Sequence, residues 1–302
     1  DRLGRKKALM AGLALFGATS AFAGSVDSAG MLIVGRGLMG IGAAMVFPTT
    51  LALLTNTFTD PRERAAAIGI WSGVSGLAVA SGPIAGGWLL EHFWWGSVFF
   101  VNVPVVIVAI VAALAIVPNS RDAEAPALDK GGLVLSIAAI VSLVFTIIEA
   151  PEWGWLTATT AAGFTVAAAF LAAFVWWERR VAEPMLPVRI FANRRFSAAS
   201  GAVTAAFFAL FGFVFLVTQY FQLVRGYTPL QAGVRTLPVA LSIAAAAVIG
   251  PLVVQRLGTT RVVATGLGLM AVAFAWISTG SAATAYTEIV GQMVRLGMGL
   301  GF

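Results

Sequence analysis

Apolar residues run along this chain in long blocks, separated by short polar gaps that carry nearly all of the charge. Ten blocks stand out, at about residues 8–23, 29–54, 65–90, 97–117, 133–148, 156–177, 196–223, 230–254, 262–280 and 288–302. Most are roughly 17 to 25 residues long, the length a helix needs to cross a hydrocarbon core of about 30 Å. Backbone groups in lipid must be satisfied internally, and blocks of this length suit helices rather than short barrel strands. The pattern therefore predicts an all-α membrane protein. Trp94, Trp95, Trp153, Trp155, Trp176 and Trp177 fall at block ends, where amphipathic rings favour the interface.

Charge orients the zigzag. Of 19 Lys and Arg residues, one alternate set of gaps holds Arg2, Arg5, Lys6 and Lys7; Arg62 and Arg64; Arg121 and Lys130; Arg179, Arg180, Arg189, Arg194 and Arg195; and Arg256 and Arg261. The opposite gaps hold Arg225, while Arg36, Arg235 and Arg295 lie inside or just within apolar blocks. Basic residues near span ends mark the cytoplasmic side. The expectation is a multi-pass protein of the cell membrane (inner or plasma membrane), with the N-terminus of this sequence cytoplasmic.

Composition narrows the function. With 59% hydrophobic and 11% charged residues, the chain is far more apolar than a soluble domain requires. Its net charge of +6 sits in short loops rather than in a basic domain, so orientation explains it better than a nucleic-acid partner. Zero cysteines exclude disulfides and thiolate chemistry. One histidine, no HExxH pattern and no paired carboxylates within the blocks argue against a membrane-embedded enzyme and leave no evident metal site. No Gly-rich Lys motif for nucleotide phosphates is present, so no cofactor is expected beyond protons as a coupling ion.

Two long polar segments, 118–132 and 178–195, divide the blocks into four, two and four. The expected domains are an N-terminal bundle over 1–117, a linker with two extra spans over 118–196, and part of a C-terminal bundle over 197–302. Two internal echoes support a duplication. Asp1-Arg2-Leu3-Gly4 returns as Gln255-Arg256-Leu257-Gly258, and Gly40-Ile41-Gly42 returns as Gly297-Met298-Gly299 at nearly the same offset. Such parallel repeats characterise many transporters. Eight spans between the echoes, where six would suffice, predict fourteen in a complete protein, with both ends here cut short.

Several stretches resemble the major facilitator superfamily. Asp1-Arg2-Leu3-Gly4-Arg5-Lys6-Lys7 looks like the end of its loop motif between the second and third spans. Leu32 to Ala44, with Gly35-Arg36-Gly37, resembles the fourth-span motif with a membrane arginine. Gly76-Leu77-Ala78-Val79-Ala80-Ser81-Gly82-Pro83-Ile84-Ala85-Gly86-Gly87 is similar to the fifth-span Gly-Pro motif associated with antiporters. Phe99 to Pro104 and Gly226 to Gly233 resemble stretches of the fourteen-span drug:proton antiporters. The resemblance covers essentially the whole chain, as spans three to twelve. It implies two pseudo-symmetric helix bundles with two extra central helices, truncated at both ends. It also implies that Asp1, Arg2, Gly4, Arg5 and Lys6 form a cytoplasmic gate latch, although a basic loop serves orientation equally well.

Residues inside the blocks carry the remaining chemistry. Arg36 lies about seven residues into its block, roughly 10 Å below the boundary. A cation there costs on the order of 2.5–3.5 kcal/mol unless it faces a wet cavity or a carboxylate, which suggests proton coupling or substrate binding; snorkelling is the alternative. Gly69, Gly73, Gly76, Ala80, Pro83 and Gly87 form one stripe on the third block, and Gly82 and Gly86 belong to the same motif. Small residues at this spacing admit a neighbouring backbone, as either a sliding seam or a static contact. Gln219 and Gln222, after a run of phenylalanines, suit either an aromatic substrate pocket or a lipid-facing surface. No carboxylate lies deep in a block.

The expected function is export of amphipathic drugs or other small molecules by proton antiport through alternating access. Proton-linked or facilitated uptake of a small metabolite is the alternative within transport. Expected partners are the small-molecule substrate and membrane lipid, with no nucleic acid and no obligatory protein partner.

Overall fold

In a computed structural model of the chain, residues 4–117 and 129–302 are described. Within the third helix, the surroundings of residues 65, 72, 73, 75–77, 79 and 80 also lie outside the description. Every described element is helical: α1 (Arg5–Ser25), α2 (Ala29–Thr57), α3 (Pro61–His92), α4 (Ser97–Phe100), α5 (Asn102–Ile116), α6 (Lys130–Trp153), α7 (Ala158–Glu178), α8 (Arg194–Gln219), α9 (Pro229–Arg235), α10 (Leu237–Leu257), α11 (Thr259–Ile277) and α12 (Tyr286–Gly301). A 3₁₀ turn, Val188–Ala192, precedes α8, and a π-helical turn, Tyr220–Val224, extends it.

Among the described residues, eight helical stretches are long and apolar enough to span a membrane, with Ser97–Ile116 and Pro229–Leu257 each counted as one. The blocks at 65–90 and 288–302 correspond to α3 and α12. Local chemistry sets the ends. Ser28, Asp60, Asp129 and Thr157 accept from backbone N–H groups in the first turns of α2, α3, α6 and α7, satisfying donors a helix start leaves open. Thr228 and Gln231 form a reciprocal capping box at α9. Gly4 (φ 91°) and Gly258 (φ 81°) open α1 and α11 from a backbone region that side chains disfavour.

Two compact units result. One combines α1–α5 with α9–α12 and the greater part of α8; the other is the α6–α7 hairpin with the segment leading into α8. Buried side chains of the first unit gather in two clusters. Leu9, Leu13, Leu53 and Val106 join α1, α2 and α5. Phe213, Phe221, Met270, Met293 and Leu296 join α8 with α11 and α12. Apolar residues also face outward, including Ile33 and Phe208, as expected where the solvent is lipid rather than water.

Candidate functional site

The first helix pair sets the geometry. α1 and α2 cross at glycines: a Cβ on Gly12 would lie 2.8 Å from Met45 Cβ and 3.1 Å from Gly42 O, and one on Gly42 would lie 2.9 Å from Phe16 N. Backbones this close leave room for hydrogen only. The same happens between α11 and α12, where a Cβ on Gly266 or Gly299 would meet the carbonyl of the other glycine at 2.6 Å. The sequence echoes thus fall on equivalent contacts: Gly4 and Gly258 begin the helices, and Gly42 and Gly299 carry the crossings.

Lys6 Nζ donates to Leu114 O near the C-terminal end of α5 at 2.9 Å. A cation is well placed at a helix end whose carbonyls lack intrahelical partners. Gly4 supplies the turn that starts α1, and Arg5 opens the helix. Asp1 and Arg2 lie outside the described residues.

Arg36 is exposed on α2. Its guanidinium lies 5.8 Å from the Phe99 ring centroid, and no carboxylate among the described residues pairs with it. Gly35, one residue before, is buried, with Ala23 and Phe22 within 3.2 Å of the position a Cβ would take. Gly37 has nothing within 4 Å, so the close contact involves Gly35 alone and Arg36 points away from it.

The Gly-Pro segment of α3 meets α9. A Cβ on Gly87 would lie 2.6 Å from Pro229 O and 2.8 Å from Leu230 Cα, and one on Gly233 would overlap the Pro83 carbonyl. Thr228 Oγ1 donates to Glu91 Oε2 at 3.5 Å just beyond. At these two points the seam is backbone on backbone: the atoms that flank Gly87 and Gly233 belong to the main chain of the opposite segment. Gly82 and Gly86 have nothing within 4 Å and take no part in it. Gly73 and Gly76 lie within helical α3, but their surroundings are outside the description.

Near the seam-bearing α9, helices α8, α11 and α12 border a half-open cavity of about 210 Å³. Phe213, Val217, Phe274, Ile277 and Ile289 supply an apolar wall, with Tyr220 and Gln292 as polar points. Gln292 is only 5% exposed, and its Nε2 donates to Trp276 O at 3.4 Å. The Arg295 guanidinium lies 4.5 Å from the centroid of a Trp276 ring, a cation–π contact. Tyr220 Oη donates to Ser281 O at 3.0 Å and accepts from Arg225 Nε at 2.9 Å. Arg225 also donates to Thr284 O. The π turn that follows Gln219 ends at Val224, with Arg225 N donating to Tyr220 O.

Gln219 is exposed and Gln222 half-buried, and neither lines this cavity. Gln292 does, and sequence reasoning passed over it. The available signal was a polar side chain inside an otherwise apolar block, one helical turn from Arg295. An apolar chamber with a few oriented polar groups suits a compact amphipathic molecule.

A family model described as Major Facilitator Superfamily matches residues 1–302. Multidrug efflux pump LfrA of Mycolicibacterium smegmatis is 37% identical over 301 residues, covering 100% of this chain and 60% of that protein. Multidrug resistance protein Stp of Mycobacterium tuberculosis is 36% identical over 273 residues, covering 89% of this chain and 50% of Stp. The tetracenomycin C resistance and export protein of Streptomyces glaucescens is 36% identical over 301 residues, covering 99% and 56%. The chain spans about half to three-fifths of the length of these relatives.

Proposed function

The chain belongs to the major facilitator superfamily, and from that premise we propose that it forms part of an exporter of amphipathic small molecules. The contact of Gly87 with Pro229 and Leu230, and of Gly233 with Pro83, carries the reading. Alternating access needs one bundle to rock against the other around a central site. A seam of bare backbone can slide without unlocking interdigitated side chains. Relatives named for multidrug efflux and drug export, and the apolar chamber with Gln292 and Tyr220, support an amphipathic substrate.

In this reading the protein lies in the cell membrane with its Lys6 end cytoplasmic, in keeping with the basic gaps. Protons moving inward drive export, with Arg36 at the cavity or the coupling path. Gly4, Arg5 and Lys6 hold the cytoplasmic gate, Lys6 through the Leu114 carbonyl at the end of α5. Lipid and the transported molecule are the only partners required.

Dye efflux from liposomes containing the full-length protein, with an imposed pH gradient, tests the proposal. Gradient-dependent efflux is expected. Efflux indifferent to the gradient would remove proton antiport, and uptake in place of efflux would reverse the assigned direction.

A further inference from the structure

The α6–α7 hairpin holds two buried acids that the export reading does not use. Asp129 precedes α6 and Glu178 ends α7, and they are 8% and 3% exposed. One oxygen of each is hydrogen-bonded. Asp129 Oδ1 accepts from Gly132 N and Trp177 Nε1, both at 2.9 Å, and Glu178 Oε2 accepts from Leu186 N at 3.0 Å. The other two oxygens, Asp129 Oδ2 and Glu178 Oε1, are buried without a hydrogen-bond partner.

Those two oxygens both border Gly132. A Cβ on Gly132 would lie 2.5 Å from Asp129 Oδ2 and 2.6 Å from Glu178 Oε1, so both flank the space that glycine leaves open. Nearby cations among the described residues do not answer them. Lys130 and Arg179 are exposed, and Arg180 lies 4.3 Å from the centroid of a Trp176 ring. No Lys or Arg among the described residues forms an ion pair with either acid. Two carboxylates buried beside one space repel each other when both are charged, and a proton or another positive species between them relieves that cost.

We propose that Asp129 and Glu178 form a proton-binding site, with a single proton shared between Asp129 Oδ2 and Glu178 Oε1. The proton converts two facing acceptors into a donor and an acceptor, satisfying both orphaned oxygens at once. Asp129 is suited to the accepting role. The Gly132 N–H holds its carboxyl below the ordinary value, against the opposing effect of desolvation, and the Trp177 indole and Gly131 N–H add to the lowering. The bound proton closes the open end of the hairpin, and through Glu178 Oε2 it fixes the following segment at Leu186. This inference stands apart from the export reading, because none of its residues belongs to the seam or the chamber.

Infrared spectra of the full-length protein in liposomes near neutral pH, in H₂O and D₂O, test it. A protonated-carboxyl C=O band is expected that shifts in D₂O and is lost in both Glu178→Gln and Asp129→Asn. Absence of any such band in the unaltered protein, or its survival in either variant, overturns the proposal. Gly132→Ala tests the same geometry without removing an acid. Its Cβ must push the two oxygens apart and shift or abolish the band, and an unchanged band counts against the pair. Adding Na⁺, K⁺, Mg²⁺ or Ca²⁺ at fixed pH is expected to leave the band intact; its loss would assign the site to a metal cation instead.

Discussion

The α1–α2 and α11–α12 hairpins are two solutions to one backbone problem. Each starts from a glycine at positive φ, Gly4 and Gly258, and each brings its helices together where glycine removes the side chain, Gly12 against Gly42 and Gly266 against Gly299. What differs is the polar group placed on that frame. In the first hairpin, Gly35 is buried against Phe22 and Ala23, and Arg36 projects outward near Phe99. At the offset of the glycine echo, Gln292 takes the slot of Gly35 and Met293 that of Arg36. Gln292 is buried and lines the chamber, and Met293 belongs to the core. The two hairpins share the close approach and differ in chemistry: an exposed cation in one, a neutral hydrogen-bonding group facing an apolar cavity in the other.

The crossings offer the severest way to break this comparison. A Gly299→Ala methyl would press on Gly266 O at 2.6 Å and Met270 Cγ at 2.7 Å, and a Gly42→Ala methyl on Phe16 N at 2.9 Å. Both are expected to destabilise the full-length protein by about 1–3 kcal/mol, the usual cost of overpacking, with Gly299 the worse. Gly40→Ala, with nothing within 4 Å, should stay within about 0.5 kcal/mol. Thermal unfolding in detergent ranks the three, and equal melting temperatures would dissolve the claimed equivalence.

Arg36 and Arg295 sharpen it next. If the first hairpin carries coupling, Arg36→Ala should cut proton-driven efflux by about tenfold, the equivalent of about 1.4 kcal/mol. Arg295→Ala removes a contact with Trp276 worth about 0.5–1 kcal/mol at an exposed site, and should cut efflux by less. Efflux assays at matched protein levels decide the order. Gln292→Leu should weaken binding of a transported dye by about twofold to tenfold, since one net hydrogen bond is worth about 0.5–1.5 kcal/mol. Unchanged dye affinity would leave the chamber outside the substrate path.

The sequence disclosed the helices because each is a continuous apolar block, and it disclosed the hairpin equivalence because glycine at a crossing cannot be exchanged freely. It did not disclose where the blocks break. α9 and α10 separate at Thr236, just before Pro238, and α8 tightens into a π turn at Tyr220, inside runs that read as uninterrupted. It also did not disclose partners. The mating of Gly87 with Pro229 joins residues far apart in the chain, and periodicity on α3 identifies a stripe without saying what fills it. Gly69 bears this out: it lies on the stripe, yet a Cβ there would meet nothing within 4 Å. Gln219 and Gln222 are clustered polar residues, whereas the cavity takes its polar lining from Tyr220 and Gln292, with Ser281 and Thr284 from the loop between α11 and α12. Asp129 and Glu178 lay in or beside polar linkers, where an acid looks solvated until folding buries it.

The smallest expected effect separates latch from orientation in the first hairpin. The Gly4 turn recurs at Gly258, but the slot of Lys6 holds Thr260, which has no cationic head to offer a helix end. If the Lys6 contact with Leu114 O only completes the end of α5, Lys6→Gln should lower stability by about 0.3–1 kcal/mol and leave efflux in proportion to the folded protein. If it also holds a gate, the same substitution should raise the passive leak of a small dye while the melting temperature moves little. Because Thr260 lies at the matching turn, Thr260→Gln serves as the control for altering that loop without removing a charge, and a leak that appears in both variants would assign the effect to the turn rather than to the lysine.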